Sequence, residues 1–164
     1  MVTVTACGTG QEAGTRPGQT TATGGANGGT GDIAVRDAQF AWQPPVDGDV
    51  VYATGSEAPL QLTIVNTGDT PDRLVSIESP AATGARTAGT EPIEGGAALV
   101  SGYREVAPAT ALPQTTAADL ALTGLRESLR AGLTYPVTFT FEDAGSVRLQ
   151  VPIENPDAGP PRAQ

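Results

Sequence analysis

The side chains able to do acid–base or metal chemistry in this sequence are almost all carboxylates. The 164-residue chain has 18 aspartates and glutamates and nine arginines, and it has no histidine and no lysine. Histidine is the usual general base near neutral pH and the commonest nitrogen ligand for metals, so both roles lack their main candidate. No serine lies in a Gly-x-Ser-x-Gly pattern, and a Ser-x-x-Lys pair is impossible without lysine. The sequence therefore predicts no catalytic residue and no enzyme.

Three acidic groups are candidates for calcium or glycoside chemistry. The stretch 47–49, which reads Asp-Gly-Asp, and the pair Asp69 and Asp72 do not continue to the bidentate glutamate that ends a calcium loop. Glu142 and Asp143 are adjacent, whereas glycoside hydrolysis needs two carboxylates that face each other across a cleft. Aspartate often forms turns by hydrogen-bonding to nearby backbone. We interpret all three groups as acidic turns and predict no metal site among them.

The only cysteine, Cys7, lies in the sequence Val-Thr-Ala-Cys-Gly, which resembles the end of a bacterial lipobox. A lipobox cysteine is lipidated and then becomes the mature N-terminus, so that lipid holds the protein at the membrane. We predict that Cys7 is the lipid attachment site and that residues 1–6 are the remnant of a signal peptide. The protein would then lie outside the cytoplasm, anchored to the outer face of the cell membrane. An unmodified exposed thiol is the alternative.

Segments without large apolar residues flank the candidate domain. Residues 8–31 contain nine glycines and no Val, Ile, Leu, Met, Phe, Tyr or Trp, which predicts a flexible linker with a reach of about 25–30 Å. We therefore divide the chain into the remnant 1–6, Cys7 with its linker (7–31), a folded domain (32–153) and a disordered proline-rich tail (154–164). The net charge of −9, with no arginine cluster in the sequence, predicts no nucleic-acid partner.

Within 32–153 the apolar residues mostly recur at every second position, the period of a strand with one buried face. The segments with this character are 33–42, 50–53, 60–64, 73–79, 97–100, 103–106, 137–141 and 147–153, and the last two form a hairpin. One helical feature is present: Leu125 and Leu129 lie four apart, and Gly132 is suited to end a two-turn helix. The pattern predicts an all-β antiparallel sandwich with at most one short helix.

The order of these segments resembles the PCu(A)C copper-chaperone family. The first matching run is 59–69, Pro-Leu-Gln-Leu-Thr-Ile-Val-Asn-Thr-Gly-Asp, which continues through 71–75 to the Ser-Pro pair at 79–80. The second comprises Gly124 and Leu125, then 129–132, then 136–145. Within that family the chain is most similar to actinobacterial lipoproteins of the LpqE type, which share the lipobox and the Ala-Pro-Leu start at 58–60. The resemblance implies a cupredoxin-like Greek-key sandwich that works outside the cytoplasm.

The family's copper(I) site is made of histidines and methionines, which are the soft ligands that copper(I) prefers. Matching the Ser-Pro and Gly-Leu pairs to their counterparts puts Ala88 near the first histidine, Asp119 at the second and Ala121 at the following methionine. None of these side chains is a copper(I) ligand, and the only methionine is Met1. The resemblance therefore predicts a domain without the family's copper site and without another cofactor.

Two functions remain open at this point. In the first, the chain is a non-catalytic binding or scaffolding module at the cell envelope, attached to the membrane through Cys7, which uses an edge strand or a loop face to meet an unknown protein partner. In the second, it remains a copper chaperone that delivers copper(I) to extracytoplasmic partners through an altered site. The missing His/Met set favours the first.

Overall fold

The computed structural model describes residues 24–102 and 114–154, and β-strands are its only regular elements there. The eleven strands are β1 (Ala26–Thr30), β2 (Ile33–Phe40), β3 (Val50–Tyr52), β4 (Ala58–Asn66), β5 (Leu74–Glu78), β6 (Ala82–Ala88), β7 (Ala98–Ser101), β8 (Thr115–Leu125), β9 (Leu129–Arg130), β10 (Thr134–Phe141) and β11 (Gly145–Pro152). The described residues include no helix able to cross a membrane. The all-β prediction is confirmed.

Six strands form the larger sheet, in the order β1-β2-β4-β7-β8-β6. β4 pairs with β7 near its C-terminal end and with β8 at its start, which makes the sheet curl. The neighbours in this sheet are antiparallel except β7 and β8, which run parallel. β11, β10 and β5 form a second, three-stranded antiparallel sheet, and β3 pairs with β9.

The core lies between the sheets and is filled by the alternating apolar residues. In β4 every second residue from Ala58 to Asn66 is buried, as the period-two pattern predicts. Leu60 and Leu62 of β4 and Val137 and Phe139 of β10 are fully buried and belong to one hydrophobic cluster. Burying side chains of this size stabilises the domain by about 1.5–3 kcal/mol each.

The helix predicted around Leu125 and Leu129 is wrong. Leu125 ends β8, a turn follows, and Leu129 begins β9, so both leucines are buried from strands on either side of that turn. The residue after β9 that was expected to end a helix, Gly132, has the expected left-handed φ of 79° but closes the turn into β10. Two apolar residues four apart fit either structure, which is why the spacing misled.

The sheet begins earlier than the predicted boundary at Asp32, because β1 lies inside the glycine-rich segment expected to be linker. β1 can lie close to its neighbours because its glycines have no side chains. A Cβ at Gly29 would come 2.7 Å from the carbonyl oxygen of Ile33, and a Cβ at Gly28 would come 2.5 Å from the side chain of Leu149. The strand is held by backbone pairing with β2, which needs no apolar residues.

The strands β6 and β8 are the other elements that sequence patterning missed. Both are rich in alanine, threonine and glycine, and β6 has mostly exposed or half-buried side chains. The predicted strand at 97–100 is confirmed as β7, with bounds shifted by one residue. The candidate strand at 103–106, with Tyr103, lies outside the described residues.

Candidate functional site

The positions matched to the family's copper ligands lie on two neighbouring strands. β6 and β8 are antiparallel, and their register places Ala88 directly opposite Asp119 and Arg86 directly opposite Ala121. Directly opposed residues on antiparallel strands have Cβ atoms about 4.5–5.5 Å apart, close enough for side chains to share one ligand. The structure therefore brings Ala88 to the same place on the sheet as Asp119 and Ala121, which lie more than 30 residues later in the sequence.

An arginine occupies the centre of this place. The Nε and Nη2 atoms of Arg86 donate hydrogen bonds to the two carboxylate oxygens of Asp119, at 3.0 and 3.1 Å. Its Nη1 atom donates a hydrogen bond to Glu57. We call these three residues the Arg86 cluster. A guanidinium with two parallel bonds to one carboxylate is a geometrically specific ion pair, so the cluster has a defined arrangement.

Strand register explains why these three residues meet. Glu57 directly precedes β4, whose first residue, Ala58, pairs with Leu122 of β8. This pairing brings Glu57 beside β8, on the same surface as Asp119 and next to β6. The side chains remain accessible, with 36% of Arg86, 53% of Glu57 and 62% of Asp119 exposed. The cluster is a surface feature and not part of the core.

The charges in the cluster stabilise each other. The hydrogen bonds that Arg86 donates to Asp119 and Glu57 raise the pKa of its guanidinium above its usual value. Arg86 therefore stays cationic, and its positive charge lies where a metal ion would have to approach Asp119. Because all three groups are exposed, we assign the cluster little folding energy, on the order of 1 kcal/mol or less per pair.

The side chains present at this place do not fit copper(I). Ala88 and Ala121 offer no donor atom, and Ala121 is fully buried. The carboxylates of Asp119 and Glu57 are hard oxygen donors, already bonded to a guanidinium, whereas copper(I) prefers thiolate, thioether and imidazole. Across 24–102 and 114–154, no three His, Cys, Asp or Glu side chains are grouped so that they could hold a metal ion.

Asp72, one of the acidic residues interpreted as a turn, holds two segments of the fold together. Its carboxylate accepts hydrogen bonds from the backbone amides of Arg73 at 2.7 Å, Asp143 at 3.0 Å and Ala144 at 2.9 Å. Burial alone would raise its pKa, but these backbone hydrogen bonds outweigh burial and lower the pKa below its ordinary value. Asp72 thus joins the start of β5 to the turn between β10 and β11.

The other predicted residues have more ordinary positions. Asp47 closes a turn, in which its carbonyl oxygen accepts the amide of Val50 at 2.8 Å. Asp49 makes an exposed ion pair with Arg130 at 2.6 Å. Cys7 lies outside the described residues. Sequence reasoning missed Arg86 and Glu57, because nothing in the sequence shows that β6, the start of β4 and β8 are adjacent.

Comparisons with known proteins identify the family and the fold. The family model described as "Putative lipoprotein LpqE-like" matches residues 33–153. A solved structure described as the copper-bound PCuAC domain from PmoF2 matches with a TM-score of 0.58 and 19% identity, over 79% of this chain and 98% of that one. The apo PCuAC domain from PmoF1 matches with a TM-score of 0.58 and 24% identity, over 79% and 99% of the two chains. No curated protein gives a significant match. The expected cupredoxin-like fold is confirmed.

Proposed function

Because the chain belongs to the LpqE-like family and has the fold of a PCuAC domain, we propose that it is an exported, lipid-anchored binding module that does not carry copper. It is a non-catalytic protein that meets a protein partner at the cell envelope. Lipid on Cys7 attaches it to the outer face of the cell membrane. A fold does not fix a function, so the argument rests on the side chains at the site.

The observation that carries this proposal is the Arg86 cluster. At the place matched to the family's copper ligands, the chain has a fixed cation bound by two carboxylates in place of imidazole and thioether groups. A guanidinium there repels an approaching metal ion and occupies the carboxylates of Asp119 and Glu57. This arrangement supports a domain that has kept the sheet of the family and lost its copper binding.

Two observations support attachment to the membrane. The sequence around Cys7 resembles a lipobox, and the family is described as a lipoprotein family. Cys7 is also the only cysteine, so one substitution removes every thiol from the chain.

Fractionation of cells that express the protein behind a lipoprotein signal peptide ending at Cys7 tests the attachment. We expect the wild-type protein in the membrane fraction and the Cys7→Ser variant in the soluble extracytoplasmic fraction or the medium. A metabolically incorporated fatty acid should label only the wild type. If the variant stays in the membrane fraction, or if the wild type takes up no fatty acid, the attachment proposal is wrong.

A further inference from the structure

Three of the large apolar side chains exposed on the described surface lie at one end of the sandwich. These are Trp42, Val46 and Leu133, with 41%, 62% and 49% of their surfaces exposed, and we call them the apolar end. The fourth, Val75, is 50% exposed and lies in β5, whose partner residues are at the opposite end of β10 from Leu133.

Backbone hydrogen bonds tie the segments of the apolar end together. The amide of Ile153 donates to the carbonyl oxygen of Leu133 at 2.9 Å, and Ile153 also bridges to Phe40, two residues before Trp42. The amide of Val46 donates to the carbonyl oxygen of Val50 at 2.7 Å, and Val50 pairs with Arg130 of β9, three residues before Leu133.

The loop that carries Trp42 is anchored to the core. The hydroxyl of Tyr52, which is buried, donates a hydrogen bond to the carbonyl oxygen of Ala41. The side-chain amide of Gln43 donates to the carbonyl oxygen of Val51 at 2.6 Å. The residues on both sides of Trp42 are therefore hydrogen-bonded to β3, which fixes the position of Trp42 at the surface.

The N-terminal segment joins the domain at this same end. β1 is antiparallel to β2, with Ala26 opposite Ala38, so the start of β1 lies near the end of β2 that leads to Trp42. Gly25 confirms this position, because a Cβ there would come 2.3 Å from the backbone of Asp37. Sixteen residues separate Cys7 from Gly24. A chain of this length spans at most about 60 Å, so lipid on Cys7 would hold the domain within that distance of the bilayer and would be joined to it at this end.

The composition of the apolar end fits a lipid surface. Tryptophan is enriched at membrane interfaces, where its ring is partly in the apolar phase and its N–H stays near water. The charged groups on the adjoining segments include Asp47, Asp49 with its partner Arg130, and Glu154 directly after Ile153, together with the Arg86 cluster beside the start of β4. With a net charge of −9, the chain is repelled by anionic headgroups, so the surface that fits is rich in neutral or zwitterionic lipid.

We propose that the apolar end, Trp42, Val46 and Leu133, rests on the lipid surface to which Cys7 is attached. The proposal rests on the lipid anchor proposed above, since the tether supplies the high local concentration that lets a small apolar contact form. It orients the domain with Trp42 toward the bilayer.

The Arg86 cluster lies at the same end of the larger sheet, because the amide of Ala41 donates to the carbonyl oxygen of Pro59 at 2.8 Å, and Pro59 pairs with Ala121, which is opposite Arg86. Its exposed charges would stay in water beside the lipid contact.

The chain itself provides a probe and an attachment point for the test. Trp42 is the only tryptophan and Cys7 the only cysteine. The full chain is coupled through Cys7 to a maleimide-headgroup lipid in phosphatidylcholine vesicles, some of which contain brominated acyl chains that quench tryptophan on contact. We expect bromolipid to reduce Trp42 emission in the coupled protein and not in the uncoupled protein. No quenching in the coupled protein would overturn the proposal.

Matched variants separate a specific contact from simple proximity. Val46→Asp and Leu133→Asp should each reduce the quenching, whereas Val75→Asp, at an equally exposed apolar residue on β5, should leave it unchanged. Equal effects of all three would contradict the proposal. All three residues are exposed, so we expect the variants to fold normally. The unfolding midpoint of each variant checks this.

Two further outcomes are distinguishable. If Trp42 emission shifts to the blue with protein concentration in the absence of vesicles, a second copy covers the apolar end and the lipid proposal is wrong. If Cys7→Ser remains membrane-bound in cells while vesicle-coupled protein is quenched, the anchoring proposal fails and the lipid contact stands as a property of the domain.

Discussion

At the scale of residues, the same chemistry serves two different purposes in this protein. In the Arg86 cluster, carboxylates meet a guanidinium on the surface, at the place matched to the family's copper ligands. At Asp72, a buried carboxylate meets backbone amides and joins two parts of the fold. Exposure decides between these roles, because water screens the first set of charges and not the second. The first set is suited to recognition and the second to stability.

Asp72 makes a pH-dependent contribution to stability. Its pKa in the folded protein lies below its ordinary value of 3.8, so the contribution is complete above about pH 5 and is lost as the pH falls through the folded-state pKa. We expect Asp72→Asn to lower the free energy of unfolding by about 1–3 kcal/mol at pH 7, the cost of losing charge-assisted hydrogen bonds.

Urea unfolding at pH 7 and pH 3 measures this effect. The difference between wild type and Asp72→Asn should shrink at pH 3. Asp69→Asn, at an exposed position three residues earlier, should be nearly neutral at both pH values. A difference that grows toward low pH would show that the carboxylate is stabilising in its protonated form and would contradict our assignment.

At the scale of elements, the sequence predicted the strands with alternating apolar residues and missed those without them. β4 and the β10–β11 hairpin are visible because each places an apolar residue at every second position. β1 and β6 depend on backbone pairing and small side chains, so their composition looks like that of a linker or a loop. β8 buries Leu120, Leu122 and Leu125, but the first half of this strand is alanine, threonine and aspartate, and that half hid it. The helix predicted from Leu125 and Leu129 was wrong for a different reason. Two apolar residues are too few to distinguish the period of a helix from that of a strand.

The sequence predicted only part of the candidate site. The resemblance gave the three positions Ala88, Asp119 and Ala121, but it gave no information about their neighbours. Arg86 and Glu57 enter the site through the pairing of β6 and β4 with β8, which joins residues 29 and 33 positions apart. Long-range register of this kind depends on the whole fold and is not readable from any one segment.

The packing of β1 makes a specific prediction. Gly29→Ala places a Cβ 2.7 Å from the carbonyl oxygen of Ile33, a backbone atom that cannot move without disturbing β2. We expect the variant to lose about 1–3 kcal/mol of unfolding free energy, the usual cost of overpacking. Hydrogen exchange should become faster in the segment 26–30.

Gly84→Ala is the matched control, because its added Cβ meets only the hydroxyl of Thr123, at 3.2 Å. We expect little change in stability or exchange there. Unchanged exchange at 26–30 in Gly29→Ala would show that β1 is not paired with β2 as described.

At the scale of the whole molecule, the apolar end and the Arg86 cluster are neighbouring surfaces at one end of the larger sheet. The N-terminal segment enters the domain at the apolar end, near Trp42, and the Arg86 cluster lies on β6 and β8, separated from β2 by β4. In the arrangement that we propose, the first surface, the apolar end, meets the membrane, and the second, the Arg86 cluster beside it, meets a partner. The central claim of this account is that the second surface no longer serves copper.

An anaerobic titration of the full chain with copper(I), against a chromophoric chelator that competes for the ion, tests that claim most directly. The double variant Ala88→His/Asp119→His is the matched positive control, because it restores two imidazoles at directly opposed positions. We predict that the wild-type chain takes no copper from the chelator and that the double variant competes for it. Stoichiometric binding by the wild-type chain that persists in Cys7→Ser would contradict the account and restore the copper-chaperone function.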